Sequence, residues 1–541
     1  MPRKTAAVIG AGHNGLVCAF YLARAGFAVT VIERRGVVGG AAVTEEFHPG
    51  FRNSVASYTV SLLAPKVIAD MRLHDLGLQI LERPISNFLP LDDARYLKMG
   101  GGLARTQAEV AKFSKRDAEQ LPAYQGMLER VADVLRDMAL QTPPDLATLT
   151  GTLVPALRQV RQFAKLNIEQ RRDLLALFVK SARDMLDGWF ESAPLKAALG
   201  FDSVVGHYAS PDTPGSAYVL LHHCFGGVNG KPGIWGHAVG GMGAITQAMA
   251  RACEQLGVKF TLKSAVTQVK VANGRACGVV LAGGREVDAD IVVSNLNPRL
   301  LFEKLVPASE LSSGFGAAIQ RHRSDSGTLR MNVALAELPD FTCLPGHTAA
   351  EHHASGILIA PSLDYMDRAF HDARRSGWSS EPVVEMLIPS CVDASLAPAG
   401  AHVASLFCQQ FAYDLPSGRS WDDAAREAAA DAVIAAVTRF APNLKRSVIA
   451  RSVLTPLDLE LKFGLLRGDI MHGVMSLDQL WAARPVLGHG DYRAPIKNLY
   501  LCGAGSHPGG GVSGMPGHNA AHEMIRDHSL RGAVSRRLGL S

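Results

Sequence analysis

The chain has 541 residues, of which 47% are hydrophobic and 19% charged, a profile that excludes a disordered protein. Fifty-five basic against 50 acidic side chains leave a formal charge of only +5, and no basic run repairs that weak case for nucleic-acid binding. The length exceeds one ordinary core and predicts two domains.

None of the eight cysteines stands in a CxxC pair, which removes sequence support for zinc ribbons, thioredoxin-like redox pairs and a disulfide scaffold. No run of eighteen apolar residues occurs, and the first strand follows Met1-Pro-Arg-Lys-Thr5 at once. The expectation is a cytoplasmic chain without a membrane span, signal or transit peptide. Glycine is the outlier, at 53 of 541 residues without a collagen-like period. Its clusters mark places where backbone must approach something closely.

Ala6–Ile9 is a short apolar run suited to a strand buried on both faces. It enters Gly10-Ala-Gly12-His-Asn-Gly15, a helical stretch from Leu16 to Ala25, a terminating Gly26 and a second strand, Ala28–Ile32. Helical periodicity dominates from about 75 to 225, over 107–140 and again over 153–190. In the latter, Leu153, Leu157, Val160, Leu174, Leu177, Phe178, Met185 and Trp189 form a stripe. With seven basic and four acidic side chains, this stretch reads either as a core-facing helix, the favoured reading, or as a basic amphipathic surface touching a membrane. Strands follow: Val266–Val271 and Cys277–Leu281 flank an Asn273-Gly274 turn, and Asp290–Ser294 is another apolar run. After an Ala-rich helix near 423–440, the strand Asn498–Cys502 runs into the densest glycine cluster, Gly503 to Gly514, with a helix near Gly517–Arg526 beyond it.

The Gly10-x-Gly12-x-x-Gly15 motif sits between strand and helix, with Glu33 eighteen residues beyond Gly15. Gly10 permits the tight turn, Gly12 lets backbone approach a pyrophosphate, and Gly15 lets helix pack on strand. The helix N-terminus offers free N–H groups to the phosphates. Glu33 can accept from both ribose hydroxyls, which suits FAD or NAD and disfavours NADP. Arg34-Arg35-x-x-x-Gly39-Gly40 continues from Glu33 and allows a second backbone segment to pass close to the cofactor, for which a plain NAD dehydrogenase has no need. Only 30 residues follow Gly511, too few for a second nucleotide fold. The 503–514 loop is therefore expected to return to the first fold and close over the same cofactor near a flavin ring, so that both chain ends hold one FAD.

These runs, with the ending Tyr500-Leu-Cys-Gly-Ala-Gly-Ser-His-Pro-Gly-Gly-Gly511, resemble the phytoene desaturase and carotenoid isomerase superfamily of FAD enzymes. Within it, the group of pyridine nucleotide-disulfide oxidoreductase domain-containing protein 2 is most similar. That likeness includes Gly50-Phe-Arg52, Ala56-Ser-Tyr58, Ser61-Leu-Leu63, Gly236, Gly240-Gly-Met-Gly243 and Met475-Ser-Leu-Asp-Gln-Leu480, and it spans nearly the whole chain. The resemblance implies an α/β architecture: a Rossmann-like FAD-binding domain with a glutathione reductase-type sheet, interleaved with an α+β substrate domain. The expected division is 1–75, 226–300 and 485–541 for FAD, with 76–225 and 301–484 for substrate and a helical, membrane-facing part. By position, Gly10, Gly12, Gly15, Glu33, Arg34, Gly39 and Gly40 would hold the ADP half. Val266 would offer backbone to the adenine, and Gly503, Gly505, Gly511 and Val512 would line the ribityl and ring region. Disulfide chemistry is not expected, because the chain has neither a redox cysteine pair nor a second nucleotide fingerprint.

His507, inside the glycine loop, and His222 are the candidates for proton transfer beside a flavin. His507 equally reads as a loop-shaping residue; for His222, His223 and His472 a structural role is favoured. No metal-ligand spacing stands out. The expected function is an FAD-dependent oxidoreductase, a desaturase or dehydrogenase that passes a hydride from a hydrophobic substrate, a polyene among the candidates, to flavin N5. Dioxygen, a quinone or a separate carrier would reoxidise it. A redox-neutral isomerase and a flavin-binding regulatory protein are the alternatives.

Overall fold

The computed structural model describes residues 3–144 and 166–529. Leu153, Leu157 and Val160 of the helical stripe lie outside the described residues, as do Arg531, Arg536 and Arg537.

Five strands form a parallel sheet in the order Lys259–Thr261, Ala28–Ile32, Thr5–Ile9, Ile291–Ser294, Leu499–Leu501. The first strand is central and its side chains alternate between two cores, which explains its unbroken apolar run. Ala6 and Val8 join the helices His13–Arg24, Gly243–Gln255 and Met515–His528 on one face. Ala7 and Ile9 meet Val269, Val279 and Leu281 on the other. Those last residues belong to the three-stranded sheet Val266–Ala272, Arg275–Leu281 and Glu286–Asp288. Its turn is of the type I′ kind that suits a tight hairpin, with Asn273 at φ 52° and Gly274 at φ 68°.

The last helix returns the chain end to the first turn of the fold. At Gly517 a Cβ would lie 2.1 Å from the Asn14 carbonyl oxygen, and at Gly15 it would lie 2.2 Å from that of Gly10. The terminal helix therefore seats directly on the glycine loop.

A second, seven-stranded sheet has the order Val448–Leu454, Leu329–Leu335, His402–Phe411, Trp378–Leu387, Gly356–Ile359, Asn87–Pro90, Tyr96–Met99. Its pairs are antiparallel except Gly356–Ile359 with Asn87–Pro90, which is parallel. One face is apolar and packs on the helix Asp423–Thr438 through Met331, Val333, Leu406, Val433 and Val437. The opposite face carries Arg330, Asn332, Glu385, Ser405 and Phe407, all buried. The fold is thus a Rossmann-like α/β domain interleaved with an α+β domain. Asn332 joins the two parts: its side chain accepts from Asn53 Nδ2 at 3.0 Å and donates to the Ser54 carbonyl at 2.9 Å.

The 107–140 periodicity resolves into two helices, Leu103–Val110 and Lys115–Ala139, divided at Ser114, whose hydroxyl accepts the Asp117 N–H and caps the second. On Ile168–Val179, Leu174 and Leu177 face the core, while Ile168, Leu175 and Val179 are exposed. Among the described residues no helix is long and apolar enough to cross a membrane.

Gly517→Ala should destabilise the protein by about 1–3 kcal/mol, the range for overpacking against fixed backbone. Gly314→Ala, on an exposed helix with no atom within 4 Å of the added carbon, should leave the melting temperature unchanged or slightly raised. Thermal melts of the two variants test the seat.

Candidate active site

A cavity of about 380 Å³ opens at the C-terminal ends of the parallel strands, where open α/β sheets place their ligands. Its first end is built by the glycine loop and the end of the second strand. Gly10, Gly12, Glu33, Arg34 and Gly40 line it. Glu33 is 7% exposed, and its carboxylate accepts the N–H groups of Ala11 and Arg35, each at 2.9 Å. A carboxylate retains lone pairs after two such bonds, so Glu33 stays able to accept from a ribose. Gly39 N–H donates to the Ala11 carbonyl at 2.8 Å, which draws the second glycine pair onto the first loop. At Gly12 a Cβ would meet Asn295 Nδ2 at 2.8 Å, and at Gly40 it would meet Gly12 Cα at 3.1 Å. Three chain segments converge there with no room for side chains.

Further along, Val266, Ala504, Gly511 and Val512 line the same cavity. Gly15, Gly39, Gly503 and Gly505 stand behind the lining. Gly503 and Gly505 allow close packing, because added carbons would strike the Asn295 carbonyl oxygen at 2.8 Å and Pro298 Cδ at 2.3 Å. The far end is apolar, with Val205, Trp235, Phe407, Leu465, Ile470 and Met471, whereas Phe463 lies beside Arg35 at the first end. The Tyr58 ring stacks on Phe407 there, with centroids 5.0 Å apart and planes 21° apart.

Arg484 fixes the two loops that meet across this end. It is 0% exposed and gives its donors entirely to backbone carbonyls. Nε donates to Ala504 at 3.1 Å, Nη1 to Gln479 at 3.1 Å and Nη2 to Met471 at 2.6 Å, with longer contacts to Gly473. Asp469 holds the other side of the 469–473 loop, accepting the N–H groups of Met471 at 2.8 Å and Gly473 at 2.6 Å. Burial lowers Arg484 to about 10 and raises Asp469 to about 6, so both remain charged at neutral pH.

The histidines occupy different places. His507 is buried with Nε2 on the Met138 carbonyl at 3.1 Å, and its own carbonyl accepts from Tyr492 Oη at 3.0 Å. It shapes the loop and does not line the cavity. His222 lies on the short helix His222–Phe225, and its side chain is outside the described set. His472 and His13 do line the cavity. His472 Nδ1 and His13 Nε2 are buried without hydrogen-bond partners, as is Asn14 Oδ1 beside them. Burial pushes His13 to about 4 and, with help from the Arg484 charge, His472 to about 3. Both are neutral imidazoles with a ring nitrogen aimed at no protein group. His13 was legible as the residue after Gly12; His472 had only its closeness to the Met475 run.

A glycine-lined loop between strand and helix with an acidic residue at the next strand end is the setting in which α/β sheets bind nucleotides. Residues 15–328 match the family of flavin containing amine oxidoreductases, and the chain belongs to that family. It is 42% identical to pyridine nucleotide-disulfide oxidoreductase domain-containing protein 2 of Rattus norvegicus, over 97% of this chain and 94% of that one. It is 26% identical to phytoene desaturase (lycopene-forming) of Pseudescherichia vulneris, over 95% and 96% of the two chains. The solved structure of cyclohexylamine oxidase from Brevibacterium oxydans IH-35A shares the fold, with a TM-score of 0.55 at 14% identity over 99% and 100% of the chains.

Two outcomes are expected. Arg484→Met leaves the carbonyls of Met471, Gln479 and Ala504 without their buried donor and should cost about 3–5 kcal/mol, read by denaturant unfolding. The second concerns pH. His13, His472 and His507 have folded pKa values below the ordinary 6.5, so the stability they confer is present above that pH and is lost as pH falls toward 4. Asp469, raised to about 6, works in the opposite sense over the same window, as do the raised carboxyls of Asp325 and Glu385, but His207, His322, His352 and His518 are lowered to about 4 as well. The melting temperature should therefore fall between pH 6.5 and 4, and His507→Gln should flatten that dependence.

Proposed function

We propose that this cavity binds FAD and that the protein is a dehydrogenase or desaturase acting on a hydrophobic substrate. The observation that carries the reading is that one cavity runs from Glu33 and Gly12, past Gly511 and Val512, to an apolar end at Phe407 and Ile470. Glu33 would accept the hydroxyls of an unphosphorylated ribose. The N-terminus of His13–Arg24 would face the pyrophosphate with its unpaired N–H groups and dipole. The orphaned atoms of His13 and Asn14 would find partners along the same cofactor.

Flavin, when bound, supplies the hydride acceptor. The chain supplies orientation and dryness. Val205, Trp235, Phe407, Ile470 and Met471 exclude water and fit an apolar substrate body. His13 and His472, neutral and with a ring nitrogen unpartnered, would hydrogen-bond to the molecule bound along the lining. A desaturase among the relatives supports double-bond formation as the outcome. Dioxygen, a quinone or a carrier would then take the electrons.

The purified protein should show the visible absorbance of oxidised flavin; its absence overturns the reading. Glu33→Ala should lower flavin retention at least about tenfold, a 1.4 kcal/mol effect. Glu82→Ala, which removes a pair with Lys231 and a hydrogen bond from Asn229 outside the cavity lining, should not. Anaerobic bleaching by a substrate supports the dehydrogenase, whereas turnover only after prior reduction and without net electron transfer points to an isomerase.

A further inference from the structure

The first end of the cavity takes walls from both parts of the chain. Glu33, Arg34, Arg35 and Gly40 line it from the parallel-sheet domain, and Phe463, Gly464 and Leu465 line it from the end of the short helix Pro456–Phe463. That helix is held at its two ends by different domains. At its start Thr455 caps it, accepting the Asp458 N–H at 3.2 Å, and the Asp458 carboxylate takes Arg426 Nε at 3.1 Å and Nη2 at 3.0 Å. Arg426 belongs to the helix Asp423–Thr438, which packs on the seven-stranded sheet.

At its end the contacts cross to the other domain. Lys462 Nζ donates to Glu45 Oε2 at 2.6 Å, and Glu45 Oε1 accepts from Arg35 Nη2. Arg34 Nη2 donates to the Leu461 carbonyl at 3.1 Å. One carboxylate, on the strand Thr44–His48, thus joins a cation beside Glu33 to a cation at the helix end. Both cations stand near the ring that lines the cavity, with the Arg35 guanidinium carbon 4.9 Å and Lys462 Nζ 5.6 Å from the Phe463 centroid. Besides these polar ties, Leu459 and Leu465 meet Ala56, with Ala41 beside them. Two alanines offer little apolar area to hold a helix in place.

We propose that Lys462 is a positioning residue for the cofactor: through Glu45 it latches the 463–465 segment against the nucleotide end of the cavity, and this latch slows release of the bound dinucleotide. This rests on the reading of the cavity as the FAD site. The side chains of Arg35, Glu45 and Lys462 are 17%, 30% and 35% exposed, so water and salt reach the latch. An ion pair of that kind gives way and re-forms while the cap and the Arg426–Asp458 pair hold the other end of the helix. Salt that screens the pair therefore speeds release.

Flavin release from the full-length holoprotein is followed by fluorescence after dilution, with the visible absorbance recorded beforehand. Lys462→Met should release flavin about fivefold faster than wild type, the upper range for a part-exposed ion pair, and Lys462→Arg should restore slow release. Wild-type release should quicken between about 0.05 M and about 0.5 M potassium chloride, over which the screening length falls about threefold, whereas Lys462→Met should respond little. Lys196→Met, which removes an equally short pair with Asp187 outside the cavity lining, should behave as wild type. Release from Lys462→Met within about twofold of wild type, the same salt response in both proteins, or release from Lys462→Arg as fast as from Lys462→Met overturns the proposal. Should Lys462→Met fail to fold, the wild-type salt response decides, since release that does not quicken defeats the latch. Wild-type protein without flavin bands defeats the cofactor reading and the latch together; flavin bands with unaltered release defeat the latch alone.

Discussion

The guanidinium of Arg484 holds together pieces of chain that have no other reason to meet. It is fully buried and bonded wholly to carbonyl oxygens, so it satisfies acceptors on the 471–473 loop, on Gln479 and on the glycine loop at Ala504 at once. A cation can do this where a neutral side chain cannot, because five donors in one plane radiate toward several segments. The cost is a buried charge, and the Asp469 carboxylate together with the ring of carbonyl dipoles offsets it. Met471 and His472 reach the cavity because Arg484 and Asp469 grip the backbone on either side of them.

The seven-stranded sheet shows a second consequence of burying polar groups. Alternation along Leu329–Leu335 puts Leu329, Met331 and Val333 into an apolar core and Arg330 and Asn332 onto a face that is equally buried. On an ordinary half-exposed sheet that second face would meet water. Here it meets the first domain. Asn332 ties onto Asn53 and Ser54, and Arg330 supports the rings that floor the apolar end of the cavity. The same alternation that builds the core thus sets the polarity of the site.

Much of the nucleotide-binding half is legible in the sequence because its signals are local. The apolar run Ala6–Ile9, the glycine loop, Glu33 and the Asn273-Gly274 hairpin each read within a few residues, and the structure places strand, turn and helix there. The second sheet is not legible, because it pairs residues 87–88 with 356–357 and 330–335 with 448–454, contacts that no short-range period encodes. The histidines' partners are not legible for the same reason. His507 stands in the glycine loop, yet its side chain is taken by the Met138 carbonyl, 369 positions away. His13 and His472, 459 positions apart, share the cavity lining, and only the folded chain brings them together.

Glycine, the outlier in composition, performs two physical tasks that a count cannot separate. At Gly12 and Gly40 the missing side chain leaves space at the cavity surface itself. At Gly15, Gly503, Gly505 and Gly517 it lets backbone press on backbone or on a proline ring behind that surface. The first set shapes what a ligand would touch; the second sets how firmly the two chain ends hold it. Substitution at Gly517 would therefore act on the cavity only through the seat of the last helix, whereas substitution at Gly12 would act on the lining directly. The enrichment is best understood as the requirement of a channel whose walls are made from backbone drawn from both ends of one chain.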